Sequence, residues 1–432
     1  MAAGMQEVEV RFTVSPGKSW SVGTMATQGH RLFFEYSSSW LRRDIELSPF
    51  ILPAKAGLVE HQQRNFGPLF GLFDDSLPDG WGLLLMDRHF RSLGREPSTL
   101  SSLDRLLYLG RSTMGALTYY PPEPRTAETT PLDLHDLAGR SQRIFAGDEA
   151  EILPLLLRTG GSPGGARPKV LVGWNGQDRK IIAGDDDLPP GFEHWLVKFS
   201  AKEDSRNAGP VEYAYALMAG AAGIAMPETR LFTTEQGESF FGIKRFDRGP
   251  DNRRYHIHTF GNLIQANFRI PSCDYTDFFK MTTLLTRNHD DLLRAFRLML
   301  FNILTHNRGD HVKNFSFILD DRTGKWSLAP AYDLTFADGP GGEHSMSVAG
   351  EGRAPAYRQV VELAGRYGVA EKELEMMIDE VVAAVERWPE FARVAGVRGA
   401  VGGRISRRLD GVRNNGNCHG QSAPAAMCRC DT

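Results

Sequence analysis

The sequence predicts an α+β protein built from two or three subdomains in series. The chain has 432 residues, which is more than one ordinary hydrophobic core accommodates. Its first part is rich in short β-prone runs, whereas helical periodicity dominates from about residue 275 onward. This segregation of strands and helices along the chain is typical of α+β lobes that follow one another.

The composition indicates a globular protein and gives no sign of a membrane or nucleic-acid partner. The chain is 41% hydrophobic and 24% charged, as expected for a globular protein, and its net charge of −3 gives no argument for a nucleic-acid surface. No apolar run is long enough for a membrane span, and the amino terminus lacks a secretory signal pattern. Apart from the last residues the only cysteine is Cys273, which fits a reducing compartment. We therefore expect a cytoplasmic protein with no membrane association.

The predicted first domain, residues 1–125, is β-rich. The runs "EVEVRFTV", "RLFFEY" and "RDIELS" predict strands separated by Gly and Ser. "LPDGWG" is a turn or helix-start signal, and "GLLLMDRHF" after it has helical spacing. The Pro- and Thr-rich stretch 119–137 is the best candidate for a linker.

Residues 126–250 form the predicted second domain, and residues 251–413 the third. In the second domain, "KVLVGW", "HWLVKFS", "ETRLFTT" and "SFFGIKRF" predict strands, and "GPVEYAYALMAGAAGI" predicts a helix. In the third, "DDLLRAFRLMLFNIL" and "KELEMMIDEVVAAVERW" are the clearest helices.

The tail, residues 414–432, has no periodicity and is expected to be disordered. Its possible metal ligands do not have usual zinc-finger spacings: Cys418, His419, Cys428 and Cys430.

Two motifs of the second domain suit phosphate binding. The loop "GGSPGGARPK" has four glycines, which allow backbone N–H groups to approach phosphates, although a plain turn also explains them. Lys198 lies in the strand "WLVKFS", and Glu212 on the following helix is a possible ion-pair partner. A solvated strand-edge lysine is the alternative for Lys198.

The segment "KRFDR", residues 244–248, ends a strand and enters a loop, as a hinge between lobes does. Asp247 there suits either a ribose hydroxyl or a structural salt bridge with Arg245 or Arg248. His258, shortly after, is expected to be a hydrogen-bonded structural histidine.

The stretch "THNRGDHVKNFSFIL", residues 305–319, and the later "PAYDLTF" carry the most specific chemistry. Kinase-type phosphoryl transfer uses a loop acid, an Asn five residues later and an Asp on a following turn. Asn314 and Asp333 fit the two metal-binding positions, since Mg²⁺ takes hard oxygen ligands and keeps several waters. Lys313 is suited to neutralise charge on the transferred phosphoryl group.

These motifs, together with "LPDGWG", "VEYA" and "HTFGNL", make the sequence resemble the HipA family of serine/threonine kinases. Members are toxins of type II toxin–antitoxin modules and have a protein-kinase-like, two-lobed fold. The likeness runs from roughly residue 20 to 410 and rests on the order and spacing of the motifs rather than on one string.

The resemblance implies ATP and Mg²⁺ as cofactors and gives roles to individual residues. Ser162 matches the loop serine whose autophosphorylation switches such kinases off, and Asn314 and Asp333 match the Mg²⁺ ligands. The catalytic positions are Gly309, Asp310 and Lys313. The expected nucleotide-binding residues are Gly164, Gly165, Ala166, Arg167, Lys169, Lys198, Glu212, Lys244, Phe246, Asp247 and His311.

The resemblance also implies partners. The family's β-rich first subdomain helps to contact a helix-turn-helix antitoxin of HipB type, so DNA would be reached only through that antitoxin. Known targets of the family are aminoacyl-tRNA synthetases, notably the glutamyl enzyme.

Position 309 departs from the family pattern, which commonly reads Asn-Arg-Asp-Asp-His or Asp-Gly-His. The catalytic Asp belongs two residues before the His and five before the Asn, but this sequence has Gly309 there and Asp310 one residue late. A misplacement of about 1 Å costs on the order of 100-fold in rate. Three interpretations remain open: a weakened or inactive kinase, a base supplied by a redirected Asp310, or a base supplied otherwise.

Two other classes of function remain as alternatives. A nucleotide-binding partner that tunes an antitoxin without transferring phosphate explains Gly309 beside an intact nucleotide-binding set. A metal-dependent phosphoesterase would use His306, Asp310 and His311 as ligands, but Gly309 favours a loop in which neighbouring ligands point apart.

Overall fold

The β-rich amino-terminal stretch folds into a five-stranded antiparallel sheet in the order β4-β3-β2-β1-β5. In the computed structural model the described residues are 6–63, 65–122, 131–147, 154–160, 164–184, 187–200 and 206–413. Ser162 and the tail 414–432 lie outside them, so the predictions for both stay predictions. The sheet consists of β1 (Gln6–Ser15), β2 (Lys18–Gln28), β3 (Arg31–Tyr36), β4 (Leu58–Glu60) and β5 (Leu117–Tyr120).

One expected strand is absent from this part of the described chain. "RDIELS" is irregular, because Asp44 has a φ of 54°, which breaks the extended backbone, and the Glu46 carboxylate accepts a hydrogen bond from Ala54 N at 2.9 Å. The prediction from β-prone residues was wrong here, since local side-chain bonds replaced the ladder.

Between the first strand and the next sheet, the described residues form six α-helices: α1 (Ser38–Leu41), α2 (Gly71–Asp74), α3 (Gly80–Ser92), α4 (Ser102–Leu109), α5 (Leu134–Ala146) and α6 (Pro154–Gly160). The sequence marks their ends. Ser101 and Asp104 form a capping box at the start of α4, and Gly147 in the left-handed region ends α5.

A second five-stranded sheet has the order β7-β6-β8-β10-β9. Its strands are β6 (Lys169–Asn175), β7 (Lys180–Ala183), β8 (Glu193–Lys198), β9 (Thr229–Thr233) and β10 (Ser239–Lys244). Trp195, Val197 and Val170 are buried on this sheet within the same apolar cluster as Trp81 of α3. β11 (His256–Thr259), α8 (Phe260–Leu263) and the hairpin of β13 (Ser316–Asp320) and β14 (Lys325–Leu328) follow along the chain.

His258 on β11 is a structural histidine, as predicted. Its side chain is fully buried, with Nδ1 2.5 Å from Asp75 Oδ2 and Nε2 3.1 Å from Ser48 Oγ.

The rest of the chain is mainly helical, which confirms the predicted α+β class with a β-rich front and a helical C-terminal part. Its elements are α7 (Ala208–Ala221), β12 (Cys273–Asp274), α9 (Tyr275–Thr286), α10 (His289–Leu304), β15 (Met346–Ser347), α11 (Tyr357–Tyr367), α12 (Glu371–Glu386), α13 (Trp388–Ala395) and α14 (Ala400–Arg413). The stacked rings of Phe279 and Phe296, 4.0 Å between centroids, join α9 to α10 in the core. Within the described ranges no helix is long and apolar enough to cross a lipid bilayer.

The structure divides into two compact units that interleave along the chain. Unit 1 comprises Met1–Asp204, Phe232–Asn267 and Ile318–Lys325. Unit 2 comprises Ser205–Leu231, Phe268–Phe317 and Trp326–Thr432.

Candidate functional site

The loop that carries Gly309, Asp310 and Asn314 begins where α10 ends, in unit 2. Thr305 closes the last turn by donating to the carbonyl of Phe301 at 2.7 Å, and His306 then adopts a φ of 55°, which directs the chain out of the helix. The loop runs alongside the segment after Asp333. Arg308 N donates to Ala337 O at 3.2 Å, and Ala337 N donates to His306 O at 3.2 Å.

Tyr332 joins the two predicted metal-binding segments. Its hydroxyl donates to the carbonyl oxygen of Lys313 at 2.7 Å and lies 2.6 Å from Ser316 Oγ. Lys313 and Ser316 flank Asn314, and Tyr332 directly precedes Asp333. Asp333 itself has a φ of 58°, an uncommon backbone conformation for a residue other than glycine and one that is often found at functional sites.

Asn314 is held by the loop in a way that suits a cation ligand. The residue ends a short 3-10 turn, Val312–Asn314, and its Nδ2 donates to the carbonyl of Gly309 at 2.9 Å. That bond uses the nitrogen of the amide and leaves Oδ1, the atom that a hard cation takes. One amide oxygen and one carboxylate suffice for Mg²⁺, which keeps waters and takes further oxygens from phosphates. The donor types of Asn314 and Asp333 therefore suit Mg²⁺, and their binding of one ion remains a prediction.

The backbone conformation at position 309 does not require glycine. Its φ lies outside the left-handed region, and a Cβ added there meets Ala337 Cβ at 3.4 Å and Asn307 Oδ1 at 3.7 Å, both ordinary contacts. The residue is only partly buried. An aspartate in this position is thus sterically allowed, and the loop simply lacks a carboxylate where the family pattern has one.

Asp310 does not replace that missing carboxylate. Its side chain is 1% exposed and accepts three hydrogen bonds, from Tyr275 Oη at 2.8 Å, His344 Nδ1 at 2.9 Å and Ser345 N at 2.9 Å. A carboxylate enclosed in this way fixes the loop and cannot reach a substrate hydroxyl in this conformation. The structure therefore disfavours a redirected Asp310 as the base.

The Asp310 network extends through residues that sequence reasoning did not single out. The Tyr275 hydroxyl also accepts from Asn302 Nδ2 at 3.0 Å, and Asn302 Oδ1 accepts from Asn307 Nδ2 at 2.9 Å. Burial, together with the nearby Asp310 charge, raises the pKa of Tyr275 well above its usual value, so the phenol stays a donor. No local sequence pattern predicts these partners, because Tyr275 lies 35 residues before Asp310.

Lys313 and His311 lie beside one aromatic ring of unit 2. Lys313 Nζ is 4.8 Å from the ring centroid of Phe268, and the His311 ring is 5.7 Å from it. His311 Nδ1 accepts from Lys313 N at 3.3 Å, which fixes the imidazole within the 3-10 turn. The predicted contacts of both residues with nucleotide remain predictions.

In unit 1 the described part of the Gly-rich loop lies at one end of the second sheet. Gly164, Gly165, Ala166 and Arg167 lead into β6, where Lys169 is paired across the ladder with Lys198 of β8. Lys169 Nζ donates to the carbonyl of Gly164 at 2.6 Å. The Lys169 ammonium thus contacts the glycine loop, and Lys198 is its cross-strand neighbour. Positive charge beside backbone N–H groups attracts anions.

Lys198 and Glu212, predicted to form an ion pair, belong to different units. Lys198 ends the central strand β8, and its Nζ is 5.8 Å from the ring centroid of Phe241 on β10. Glu212 lies in the first part of α7 and is 6% exposed. The ion pair stays a prediction.

The predicted hinge segment after β10 is organised by Asp247, which forms the structural salt bridges that were one of its two interpretations. The carboxylate is 2% exposed and accepts from Arg245 Nη2 and Arg248 Nη1, both at 2.7 Å, and from Gly115 N, also at 2.7 Å. Burial alone would raise its pKa, but the two guanidinium groups outweigh burial and lower the pKa well below the usual range.

The other two hinge candidates are less enclosed. Lys244 Nζ lies 2.5 Å from Glu193 Oε1, and Phe246 is partly buried. Their contacts with nucleotide remain predictions.

The metal-dependent phosphoesterase finds no support. Among the described residues no group of three or more His, Cys, Asp or Glu side chains is arranged to hold a metal ion. His306 stacks on Phe336 with ring centroids 5.3 Å apart, and Asp310 is enclosed in its own network.

Comparisons with known proteins agree with the predicted resemblance. The HipA N-terminal domain matches residues 17–120, and the HipA-like C-terminal domain matches residues 161–388. The protein Y4mE of Sinorhizobium fredii, named provisionally as a kinase, is 28% identical over 330 residues, which are 70% of this chain and 71% of that protein. A second such protein of this organism, Y4dM, is 28% identical over 153 residues, 32% of this chain and 36% of its own length.

Among solved structures, HipA of Shewanella oneidensis, in a complex with HipB and its operator DNA, is similar with a TM-score of 0.68. The alignment covers 94% of this chain and 97% of that one at 16% sequence identity, so the likeness establishes a common fold. The C-terminal domain match alone spans more than half of the sequence. The chain therefore belongs to the HipA family.

Proposed function

We propose that this chain is an ATP- and Mg²⁺-dependent serine/threonine kinase of HipA type with slow phosphoryl transfer. The observation that carries the proposal is the bonding of Tyr332 to Lys313 and Ser316, which holds Asp333 and Asn314 in adjoining segments of unit 2. An amide and a carboxylate on adjoining segments are the metal-binding pair of kinase-type phosphoryl transfer.

The remaining parts have separate roles in this proposal. Lys169 and Lys198, with the backbone of Gly164–Arg167, would receive the phosphates, since they concentrate positive charge at one end of the sheet. Lys313 would neutralise charge on the transferred group. Bound Mg²⁺ supplies charge neutralisation of the triphosphate. Asp247 serves the hinge as a structural ion pair rather than as a ribose ligand, since its oxygens are occupied by arginine donors.

Slow transfer follows from position 309. Gly309 offers no proton acceptor, and the neighbouring Asp310 is enclosed by Tyr275, His344 and Ser345. A loose phosphoryl-transfer transition state asks little of a base, so turnover need not vanish.

The lack of an accessible carboxylate at positions 309 and 310 favours a second candidate function. A HipA-family protein that binds nucleotide without transferring phosphate, and acts as the partner of a DNA-binding antitoxin, would need the phosphate and metal groups but no base. The enclosure of Asp310 is the specific feature that supports it.

The partner proposed in both cases is a HipB-like helix-turn-helix antitoxin, which would bring the chain to DNA indirectly. The similar Shewanella protein is seen in such a complex. As a kinase, the chain would be the toxin of the pair and would phosphorylate an aminoacyl-tRNA synthetase, as well as itself at Ser162.

The test combines binding and turnover on the purified chain. Calorimetry with MgATP should show binding in the wild type, and intact mass with peptide mapping should show slow phosphate incorporation at Ser162. Ser162→Ala should bind ATP but lose that phosphate, and Asn314→Ala should lose Mg²⁺-dependent binding. Binding with no phosphate on any residue or on an added synthetase would select the second candidate. No binding at all would reject both.

A further inference from the structure

Asp79 stands at the start of α3 but does not cap its own helix. It occupies the N-cap position with an extended backbone, yet no N-cap hydrogen bond from its side chain is formed. Its Oδ1 instead accepts the backbone N–H of Gly165, 86 residues away in the Gly-rich loop and in the same unit. An N-cap aspartate normally serves its own helix, so this displacement indicates a second task.

Two further bonds from the same short segment hold the loop. Trp81 N donates to the carbonyl of Gly165 at 3.0 Å, and its ring Nε1 donates to the carbonyl of Lys169 at 3.1 Å. Trp81 is fully buried, which makes it a rigid anchor. Asp79, Gly80 and Trp81, called the clamp below, thus bind Gly165 on both its N–H and its C=O.

Close approach between the clamp and the loop requires glycine at position 80, and the backbone conformation favours glycine at position 165. Gly80 has a φ of 43°, and a Cβ there would lie 2.6 Å from Ala166 Cα and 2.7 Å from Gly165 O. Gly165 has a φ of 98°, and a Cβ there would lie 2.2 Å from Lys169 Nζ. A side chain at position 80 would displace the loop backbone, whereas at position 165 it is the positive φ that favours glycine.

The clamp determines which backbone groups point away from it. In a trans peptide the C=O and the next N–H point in opposite directions. Because Gly165 C=O points to the Trp81 amide, the N–H of Ala166 is directed away from the clamp. Because Gly165 N–H points to Asp79, the Gly164 C=O is directed away as well, and the Lys169 ammonium binds it at 2.6 Å.

The side of the loop opposite the clamp therefore carries an N–H group and an ammonium group, both of which attract anions. We propose that the clamp holds the Gly-rich loop in the conformation that receives the nucleotide phosphates, and that Asp79 is a positioning residue for nucleotide. This inference rests on the proposed nucleotide binding and adds to it a requirement for a segment of the first β-rich domain.

Asp79 variants test the inference on the full chain, with a non-hydrolysable ATP analogue and Mg²⁺ as the probe in calorimetry. Asp79→Ala removes a charge-assisted hydrogen bond, and we expect about ten-fold weaker binding. Asp79→Asn keeps an oxygen acceptor for Gly165 N–H and should stay within about three-fold of the wild type. Asp87→Ala is the matched control, because Asp87 lies farther along α3, pairs with Arg105 of α4 and should leave affinity unchanged.

Amide hydrogen exchange of the peptide containing residues 164–169 gives a second readout that needs no nucleotide. Asp79→Ala should speed exchange in this peptide, whereas Asp79→Asn and Asp87→Ala should not. Unchanged exchange and affinity in Asp79→Ala, or tighter binding, would overturn the inference, as would an Asp79→Asn variant as weak as Asp79→Ala. If the wild type binds no nucleotide, the proposed function fails, and with it the positioning role, while exchange still shows whether the clamp itself exists.

Discussion

Replacing Gly309 with aspartate restores the carboxylate that the family pattern places in the catalytic loop. The new Cβ would meet Ala337 Cβ at 3.4 Å and Asn307 Oδ1 at 3.7 Å, and the backbone needs no left-handed conformation. Position 309 is partly exposed, so the carboxylate can turn away from the Asn307 oxygen towards solvent. We expect the free energy of unfolding to change by less than about 1 kcal/mol, as for a substitution outside the core.

The expected gain is in rate. A positioned general base typically contributes 10²–10⁴-fold. Phosphoryl transfer depends less on a base than most reactions, so the lower end applies. We therefore expect phosphate incorporation at Ser162 about 100-fold faster in Gly309→Asp than in the wild type, which corresponds to a barrier lower by about 2.7 kcal/mol. Affinity for ATP should stay the same, because the phosphate-binding groups are unchanged.

The assay is single-turnover incorporation of labelled phosphate, with ATP affinity measured in parallel. Gly309→Asn is the matched control, since it fills the same space without a carboxylate and should remain at the wild-type rate. A Gly309→Asp, Asn314→Ala double variant should be inactive. Equal rates for the Asp and Asn variants, or no gain in Gly309→Asp despite normal ATP binding, would refute the reasoning about the missing base.

Three further predictions concern stability and metal binding. Asp247→Ala leaves Arg245 and Arg248 buried without their carboxylate, so the free energy of unfolding in urea should fall by about 3–5 kcal/mol. Glu362→Ala, which breaks an exposed ion pair, should lower it by less than about 1 kcal/mol. Similar losses in the two variants would contradict this prediction. Burial, aided by the charges of Arg245 and Arg248, lowers the pKa of His194 to about 3. The unfolded chain therefore binds the proton at a higher pH than the folded chain, so the free energy of unfolding should fall as pH decreases from about 6.5. In urea titrations, His194→Gln should reduce the dependence of this free energy on pH by up to about 1.4 kcal/mol per pH unit. An unchanged pH dependence in His194→Gln would contradict this prediction. Tyr332→Phe removes the hydroxyl that joins Lys313 and Ser316, so the Mg²⁺ concentration for half-maximal ATP binding should rise about ten-fold, with metal-free binding unaffected; no shift would show that this hydroxyl does not organise the metal ligands.

The sequence predicted well what local patterns encode. Helical periodicity located α10 and α12 to within about two residues, and β-prone runs located β8 and β10. It failed at "RDIELS", where a left-handed Asp44 and the Glu46 side chain decide the backbone.

The candidate site was predictable only in its residue types. Motif spacing singled out Asn314 and Asp333, but the hydroxyl that joins their segments belongs to Tyr332, whose role depends on tertiary contact. Asp310 looked like a possible base because sequence shows its charge and not its burial by Tyr275 and His344. The clamp could not be predicted either. The sequence indicates only a helix start at Asp79, and its contact with Gly165 depends on the tertiary structure.

The most direct test of the account is whether Asn314 and Asp333 bind one cation. Mn²⁺ can replace Mg²⁺ as a paramagnetic probe, and its affinity in the presence of an ATP analogue can be measured by electron paramagnetic resonance. If the two residues share the ion, Asn314→Ala and Asp333→Ala should each weaken Mn²⁺ binding at least ten-fold, and the double variant should be clearly less impaired than the sum of the single effects. Wild-type affinity in either single variant, or fully additive losses in the double variant, would contradict a shared metal site.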